Sequence, residues 1–391
     1  DEVHRYGGKL ALQLFHGGPA AVAALNGGRQ AIAASAIPLR NIGEMPRAMT
    51  ISEIHELTAK FGQAARRARE AGADALEIHA AHRHGILGTF LSPLSNKRVD
   101  EYGGNVDGRM RSLLEVVDEV RRAVEGQCAV IVRMSMTELE PGGQSMLDAI
   151  YIARALEKAG VNLLNLSNGT LETYWKTVTP SGTPRGVNTE LSAQLKQTVH
   201  IPVGVIGRNC EPWAAEQVLE LGRTDVVYMA RALLCDPDFP NKAQRGDVQD
   251  IRPCIGCTDC ITHAHGTQIR CTMNPYAGRE TEVPQAADSP KRVLVIGGGA
   301  AGLQAAATAA HRGHQVTLLE ASEQLGGQMF LAGVPIAKQD ITQGAKYLIH
   351  RAIKAGVDIR CSEQADEKII RSYAPDAVIL ATGGQPIVPG F

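Results

Sequence analysis

Residues 1–240 alternate short apolar segments with longer amphipathic ones, and this alternation limits the fold more than any other feature of the chain. Regular β–α alternation of this length predicts a parallel sheet, either doubly wound or closed as a (β/α)8, or TIM, barrel. Polar and reactive residues recur where the predicted strands end, which favours the barrel, because barrel active sites lie at the carboxyl ends of strands. Six of the eight strands of a barrel are predicted, and they cover Leu10–Phe15, Ala75–His79, Ala129–Met134, Leu163–Ser167, Val203–Ile206 and Val226–Met229.

The clearest predicted helix runs from Ile51 to Ala71. Thr50 and Glu53 have the spacing of a capping box, and Gly72 supplies a C-terminal cap. Apolar residues recur at helical spacing and predict one buried stripe, formed by Ile54, Leu57, Phe61, Ala65 and Ala68.

Four cysteines stand close together after the last predicted barrel strand. Cys254, Cys257 and Cys260 follow C-x2-C-x2-C spacing, and Cys271 comes shortly after them. Thiolates are soft ligands that suit zinc or an iron–sulfur cluster, and spacing alone does not separate the two. Zinc usually takes paired C-x2-C units, so three close cysteines and one distant cysteine favour a [4Fe-4S] cluster. Structural zinc and four unrelated buried thiols are the alternatives.

A glycine-rich turn follows the cysteines and predicts a nucleotide site. Strand Arg292–Ile296, a helix to about Arg312 and strand Gln315–Glu320 form a β–α–β unit around it. Gly297 provides the tight turn, Gly299 lets the backbone approach a pyrophosphate, and Gly302 allows close helix packing. Glu320, at the end of the second strand, has the position of a residue that accepts from a ribose hydroxyl.

Composition excludes several function classes. The 391 residues carry 40 basic and 41 acidic side chains, which gives no electrostatic reason to expect a nucleic acid or a membrane surface as partner. Aromatic residues make up 4% of the chain, too few for a base-stacking platform. No apolar span or leader pattern predicts a membrane helix or a signal peptide. The other four cysteines are scattered, which suits a cytoplasmic metalloprotein better than a disulfide scaffold: Cys128, Cys210, Cys235 and Cys361.

Three sequence segments together resemble the old yellow enzyme barrel. They are QLFHGG at 13–18, EIHAAH at 77–82 and FLSPLSNKRVDEYGG at 90–104. With the cysteines and the glycine turn, the whole chain resembles the multidomain branch of that family, which includes 2,4-dienoyl-CoA reductase, 2-enoate reductase, the bile-acid steroid reductases and trimethylamine dehydrogenase. The resemblance implies FMN in the barrel, a [4Fe-4S] cluster, and FAD or ADP in the next domain. In the reductases of this branch, NAD(P)H supplies electrons through FAD and the cluster to FMN.

The resemblance also implies roles for flavin-binding residues. Gln13 matches the glutamine at the flavin pyrimidine edge, and Arg133 matches the arginine beside flavin N1, where a fixed cation stabilises the reduced anionic flavin. A solvated ion pair is the alternative for Arg133 and for Arg231. The phosphate-binding segments of the family, which follow the last two barrel strands, match Gly207, Arg208, Ala230 and Arg231.

His79 and His82 match the pair that hydrogen-bonds the carbonyl oxygen of the substrate, so that hydride from flavin N5 reaches the β-carbon. A metal pair and ordinary packing histidines are the alternatives. The family usually continues His-Gly-Tyr, with the tyrosine as proton donor, whereas this chain has one additional residue and reads His82, Arg83, His84, Gly85. His84 stands where the tyrosine would be counted from His82 and is a candidate general acid.

The sequence therefore predicts a cytoplasmic flavin- and iron–sulfur-dependent reductase of the C=C bond in an α,β-unsaturated acyl-CoA, enoate or steroid enone. An amine dehydrogenase, with Tyr174 and Trp175 as one aromatic wall, and a non-catalytic electron-transfer remnant are the alternatives. Predicted segments are a barrel over 1–245, a cluster segment over 246–288 and an FAD/NAD(P)-binding Rossmann-like domain over 289–391. Two strands are expected before Asp1 and an NAD(P)H domain after the turn that starts at Ala381. The substrate, the choice of NADH or NADPH, and the oligomeric state, a homo-oligomer included, stay open.

Overall fold

The structure is a computed structural model that describes residues 2–263, 268–384 and 390. Contacts between Cα atoms divide the chain into two compact units. The first comprises residues 1–179, 184–209 and 213–229, and the second comprises 180–183, 210–212 and 230–391. The predicted turn beyond Gly384 lies outside the described residues, apart from residue 390.

A six-stranded parallel sheet forms the first unit. Its strands pair in the order β1-β4-β5-β6-β7-β8, which is chain order apart from a small separate ladder between β2 and β3. The prediction of six parallel barrel strands is confirmed, and no ladder joins β1 to β8 within the part of the chain that the structure describes. The strands are β1 (Ala11–Leu14), β2 (Ile32–Ala33), β3 (Arg47–Ala48), β4 (Ala75–Ala80), β5 (Ala129–Ser135), β6 (Leu163–Ser167), β7 (Val203–Ile206) and β8 (Val226–Tyr228).

A four-stranded parallel sheet forms the second unit, with the order β11-β10-β9-β12. The two strands that come first along the chain lie within one residue of their predicted bounds. The glycine turn and a helix connect them, as predicted. The strands are β9 (Arg292–Ile296), β10 (Gln315–Leu319), β11 (Asp358–Arg360) and β12 (Ala377–Leu380).

Helices connect most of the strands. In the first unit and at its margin lie α1 (Glu2–Arg5), α2 (Ile51–Glu70), α3 (Ile86–Leu91), α4 (Val106–Val124), α5 (Met146–Lys158), α6 (Tyr174–Thr177), α7 (Thr189–Lys196) and α8 (Pro212–Glu220). The rest are α9 (Arg231–Cys235), α10 (Phe239–Arg245), α11 (Asp259–Thr262), α12 (Ala300–His311), α13 (Gln328–Ala332), α14 (Asp340–Lys354) and α15 (Glu367–Ser372). Short 3-10 turns cover Gly18–Ala20, Ala23–Leu25, Val248–Asp250 and Glu280–Glu282.

Helix α2 has the predicted ends and the predicted buried face. Thr50 and Glu53 form both hydrogen bonds of a capping box, and Gly72 follows the last turn with a φ of +91°. All five residues of the predicted stripe are buried, between the sheet and neighbouring helix α4. Burial of this face holds α2 against the outside of the sheet. The polar residues lie instead at the ends of the strands.

Strand register decides which of those polar residues become neighbours. Gln13 on β1 pairs with Glu77 on β4, two residues before the level at which His79 on β4 pairs with Arg133 on β5. Arg133 in turn pairs with Asn165 on β6. Residues at these levels come from four strands, so the sheet gathers side chains that are distant in sequence.

Candidate active site

Three histidines cluster at the carboxyl end of β4. His79 belongs to the strand, and His82 and His84 lie in the turn that follows. Their ring centroids are 6.0 Å apart for His79 and His82, 5.2 Å for His79 and His84, and 5.9 Å for His82 and His84. The ring of Phe15, which follows β1, packs against His79 with a centroid distance of 5.0 Å. His79 and His82 therefore come together as predicted, and the additional residue in the turn brings a third imidazole to them.

The turn itself is held in an uncommon backbone conformation. His82 and Arg83 have φ values of +65° and +57°, in the left-handed region that L-residues rarely occupy. Buried Arg83 forms ion pairs with Glu172 at 2.5 Å and Glu140 at 3.2 Å, side chains from the segments after β6 and β5. The N–H of His82 donates to Ser135 Oγ at 3.0 Å. Such a strained conformation persists where surrounding contacts hold it in place. Here the contacts of Arg83 and Ser135 hold the turn and so orient His82 and His84.

Buried ring nitrogens of this cluster lack partners. His79 Nδ1, His82 Nε2 and His84 Nδ1 are buried and have no hydrogen-bond partner among the described residues. An unpaired buried polar atom costs about 1–3 kcal/mol, so several of them in one place indicate that a bound molecule completes the site.

Burial also keeps these rings neutral. Desolvation, followed by the charges of His84 and Arg133, lowers the pKa of His79 to about 3. Desolvation and Arg133 lower the pKa of His82 well below its usual value, and desolvation lowers that of His84. Each neutral ring therefore carries one hydrogen-bond donor and one acceptor, and the Nδ1 of His82 already lies 3.1 Å from the Gly169 carbonyl oxygen.

A second polar group lies inside the sheet. Gln13 Nε2 donates to Glu77 Oε2 at 2.5 Å, and Asn165 Nδ2 donates to Glu77 Oε1 at 2.7 Å. Burial lowers the pKa of Arg133, while the charge of Glu77 acts in the opposite direction. With Nε2 engaged, Gln13 keeps its Oε1 as an acceptor that has no hydrogen bond among the described residues. This arrangement fits the flavin-edge residues that the sequence predicts.

Glu77, Asn165 and Tyr228 were not predicted as site residues. Burial, followed by the charge of Glu77, raises the pKa of Tyr228 to about 12, which indicates that this phenol at the end of β8 faces the same interior. The sequence did contain a signal for Glu77, which is a charged residue in the middle of the apolar strand 75–80. A buried carboxylate needs partners on neighbouring strands.

The predicted phosphate-binding residues divide between the units. Gly207 and Arg208 follow β7 in the first unit, where Arg208 is buried with a φ of +52°. Ala230 and Arg231 belong to the second unit, and Arg231 begins helix α9. A Cβ on Gly207 would lie 2.8 Å from Asn188 Nδ2, so the residue type follows from close packing. Arg231 Nη1 is buried without a hydrogen-bond partner among the described residues, as expected of a group that awaits an anion.

The four clustered cysteines line one small cavity in the second unit, together with Arg231. Across residues 2–263, 268–384 and 390, however, no three side chains of His, Cys, Asp or Glu are arranged closely enough to hold a metal ion. All eight cysteines lie among the described residues, and none of them forms a disulfide there. The cavity and its donor set fit a thiolate-bound cluster in chemistry, and the cluster stays a prediction.

A fifth cysteine lines the same cavity. Cys235, treated as scattered in the sequence, is fully buried at the end of α9, with Sγ 3.3 Å from the carbonyl oxygen of Pro253. A hydrogen bond from its thiol lowers the pKa of Cys271 to about 6. Nothing in the local sequence spacing indicates this neighbour, because α9 and Cys271 are joined only by the fold.

The glycine turn has the geometry that its sequence predicts. Gly297 has a φ of +107°, and a Cβ on Gly302 would collide with the carbonyl oxygen of Gly297. No heavy atom of the described residues lies within 4 Å of a Cβ built on Gly299, which leaves an open cradle beside the start of α12. Glu320 Oε2 accepts from the N–H of Gly298 at 2.6 Å, and Oε1 accepts from Ser322. These residues fit the pyrophosphate and ribose of a dinucleotide such as FAD.

Taken together, a parallel barrel sheet with a polar end and a β–α–β glycine turn define the class of flavin-dependent oxidoreductases. The model of the NADH:flavin oxidoreductase / NADH oxidase family matches residues 1–250, and the model of FAD dependent oxidoreductases matches residues 292–374. The chain belongs to the NADH:flavin oxidoreductase / NADH oxidase family. Its barrel is of the old yellow enzyme type, and the predictions of family, fold and enzyme class are confirmed.

Similar proteins differ in their chemistry. An NADH oxidase of Thermoanaerobacter brockii is 40% identical over 394 residues, which cover 100% of this chain and 60% of that protein. A solved 2-naphthoyl-CoA reductase complex has a TM-score of 0.94 at 27% identity and covers 100% of this chain and 62% of its own. Histamine dehydrogenase from Rhizobium sp. 4-9 has a TM-score of 0.90 at 29% identity, with 97% and 56% covered. The chain thus spans about three fifths of the length of such relatives. Among the described residues, no helix has the length and apolarity needed to cross a bilayer.

Proposed function

We propose that this chain contains the substrate-reducing part of an ene-reductase that acts on an α,β-unsaturated carbonyl compound. Electrons would come from NAD(P)H through FAD and a [4Fe-4S] cluster, and FMN, when bound, would supply the hydride. The observation that carries the proposal is the cluster of three buried, neutral histidines with unpartnered ring nitrogens at the end of β4.

In this proposal the histidines bind and polarise the substrate. Neutral imidazoles donate N–H groups to a carbonyl oxygen without the desolvation cost of a charged group, and such donors stabilise the negative charge that develops on oxygen. Gln13 and Arg133 would hold the flavin edge, with Glu77 orienting the amide of Gln13. Gly207, Arg208, Ala230 and Arg231 would bind its phosphate, and Gly297, Gly299, Gly302 and Glu320 would bind the dinucleotide.

An amine dehydrogenase is the second candidate, because a histamine dehydrogenase is among the similar solved structures. An alkylammonium substrate calls for aromatic faces around its charge. Trp175 is 64% exposed, and Lys176 Nζ already lies 5.0 Å from its ring centroid. An aromatic face that already has a lysine ammonium group beside it would bind a cationic amine poorly, and this favours the reductase.

The test separates the two half-reactions in the flavin-loaded, full-length enzyme. Stopped-flow measurements follow flavin reduction by NAD(P)H and its reoxidation by cinnamate- or crotonyl-type acceptors. His79→Phe should slow reoxidation by about 10²–10³, the usual effect of losing one such donor, and leave flavin reduction unchanged. Unchanged reoxidation in His79→Phe, or flavin reduction by amines in place of NAD(P)H, would contradict the reductase.

The role of His84 has its own test. Because its pKa is lowered, a proton supplied by the His84 imidazolium should become scarcer as pH rises above that pKa. His84→Phe should then remove a decline in the reoxidation rate that begins below pH 6.5 as the pH rises. If the pH profile keeps its shape, the proton comes from another group.

The cluster is tested by composition. Anaerobically reconstituted protein should contain about four irons per chain, and Cys254→Ala should lose most of them. Cys361→Ala is the matched control, since Cys361 is exposed and outside the cysteine cavity. Stoichiometric zinc without iron would show that the site is structural.

A further inference from the structure

Two carboxylates of the first unit, Glu140 and Glu172, lie between two arginines. Glu140 Oε2 is 3.2 Å and Glu172 Oε2 is 2.5 Å from Nη2 of Arg83, in the histidine turn after β4. The other oxygen of each carboxylate faces Arg40, which belongs to the long connection between β1 and α2. Glu140 Oε1 lies 3.7 Å from Arg40 Nη2, and Glu172 Oε1 accepts from the Arg40 backbone N–H at 3.4 Å. These four residues form a carboxylate bridge between the histidine turn and the connection after β1.

The segment after β6 makes the same link through its backbone. The Leu171 N–H donates to the carbonyl oxygen of His82 at 3.3 Å, and the Leu171 carbonyl oxygen accepts from Asn41 Nδ2 at 2.8 Å. Leu171 and its neighbour Glu172 thus each contact both the histidine turn and the connection after β1.

The connection after β1 also contacts the histidine cluster directly. It starts with Phe15, whose ring centroid lies 5.0 Å from that of His79 and 5.6 Å from that of His84. One stretch of chain therefore touches the histidines at its first residue and the carboxylates at Arg40.

The two ends of the carboxylate bridge differ in their exposure to water. The side chain of Arg83 is 7% exposed, whereas that of Arg40 is 79% exposed. Dissolved salt screens exposed charges over about 8 Å at physiological ionic strength and screens buried pairs much less. We therefore expect salt to weaken the Arg40 end and to leave the Arg83 end in place.

We propose, on the basis of the reductase function above, that Glu140 and Glu172 are positioning residues of the active site. Through Arg83 they fix the strained histidine turn, and a shift of the rings in this turn would slow the reaction itself. Through Arg40 they hold the connection after β1 beside the histidines, which affects the binding of substrate and not the chemical step.

Variants at the two ends should have different kinetic effects. Flavin reoxidation by 2-cyclohexenone, a neutral acceptor, is followed in the flavin-loaded, full-length enzyme. Glu172→Gln should lower the rate at saturating acceptor by about 10²-fold, the usual effect of moving catalytic groups by about 1 Å. Arg40→Gln should instead raise KM by about two- to fivefold, as expected for the loss of an exposed ion pair.

A second variant covers the case in which Glu172→Gln does not fold. Arg83→Lys keeps the buried positive charge, but a single ammonium group lacks the fork with which a guanidinium pairs with carboxylates. It should therefore lower the saturating rate in the same direction, by about tenfold. An unchanged saturating rate in either folded variant would overturn the positioning role.

Salt tests the exposed end independently. Raising NaCl from about 0.01 M to about 1 M shortens the screening length from about 30 Å to about 3 Å. This change should raise KM for 2-cyclohexenone in the wild-type enzyme, and the increase should be absent from Arg40→Gln. Arg122→Gln is the matched control, because Arg122 is also an exposed arginine between two carboxylates, Asp118 and Glu119 on α4, and it should respond to salt like the wild type. An equal response in Arg40→Gln would contradict the role of Arg40.

Hydrogen exchange separates a failure of this proposal from a failure of the reductase. Amide exchange in peptides that cover residues 78–91 and 168–176 should become faster in Glu172→Gln and stay unchanged in Arg122→Gln. Faster exchange together with no reduction of any unsaturated acceptor would refute the reductase and leave the carboxylate bridge intact. Reduction of such acceptors, with exchange in Glu172→Gln equal to that of the wild type, would refute the bridge and leave the reductase intact.

Discussion

The histidine cluster of the first unit and the glycine turn of the second unit differ in how completely their polar groups are satisfied. Around the glycine turn, Glu320 accepts from Gly298 and Ser322 and so joins the turn to the end of β10. In the histidine cluster, three ring nitrogens are buried without a partner among the described residues. The glycine turn thus pairs its polar groups within the chain, whereas the histidine cluster has ring nitrogens that are not paired by the described residues.

This difference reflects what each site binds. A dinucleotide turn uses backbone N–H groups and a helix terminus, which exist once the local β–α–β unit folds. A substrate site must keep side-chain donors and acceptors unpaired until the substrate arrives, at a cost in stability that the rest of the fold offsets.

The largest effect is expected in the turn. Gly302→Ala places a Cβ against the carbonyl oxygen of Gly297, so it should destabilise the second unit by about 3 kcal/mol. Gly299→Ala is the matched control, because a Cβ there meets no described atom within 4 Å. It should weaken FAD binding and leave stability nearly unchanged. Urea unfolding and flavin titration measure the two effects, and equal stability losses would mean that packing does not explain Gly302.

A smaller effect concerns the buried histidines. His79 has a pKa of about 3 when folded and a usual value of 6.5 when unfolded, so between these values the unfolded state binds more protons. Stability is therefore fully present above pH 6.5 and declines as pH falls toward 3. From pH 7 to pH 5, His79 alone should remove about 2 kcal/mol from the free energy of unfolding of the first unit.

Urea unfolding at the two pH values checks this decline. His79→Phe should make it shallower by that amount. His200→Gln controls for the removal of a histidine, since the His200 side chain is 97% exposed at the surface. A decline identical in His79→Phe and the unmodified protein would show that His79 titrates as it does when unfolded.

The smallest effect concerns Glu320. Glu320→Gln keeps the size of the side chain and removes the charge that strengthens the hydrogen bond from the Gly298 N–H, at 2.6 Å. The second unit should lose about 1 kcal/mol in urea unfolding, and FAD should bind more weakly. Glu363→Gln, on the neighbouring loop, controls for charge. If FAD affinity were unaffected while stability fell, Glu320 would serve the turn and not the ribose.

Elements with a local cause were predictable from the sequence. Helix α2 has its predicted capping box, cap glycine and buried stripe, because each depends on residues within one or two turns. The six barrel strands were found within two residues of their observed bounds, since the strands of a parallel sheet are short apolar runs. The glycine turn was also predictable from the sequence, because its function depends on the backbone of one short segment.

The sequence by itself therefore determined the six barrel strands, two strands of the second sheet and the glycine turn, since these follow from periodicity and from backbone requirements. The histidine pair after β4 was predicted from the resemblance to a known family. Only the tertiary structure decided how those residues are completed. It brought Phe15 against His79, Cys235 into the cysteine cavity, and Glu77 between Gln13 and Asn165. Most of all, it placed the Gly169 carbonyl at His82 Nδ1, more than eighty residues away along the chain. Such contacts depend on strand register and on loops from different strands, which no local pattern encodes, and they decide how the histidines are oriented.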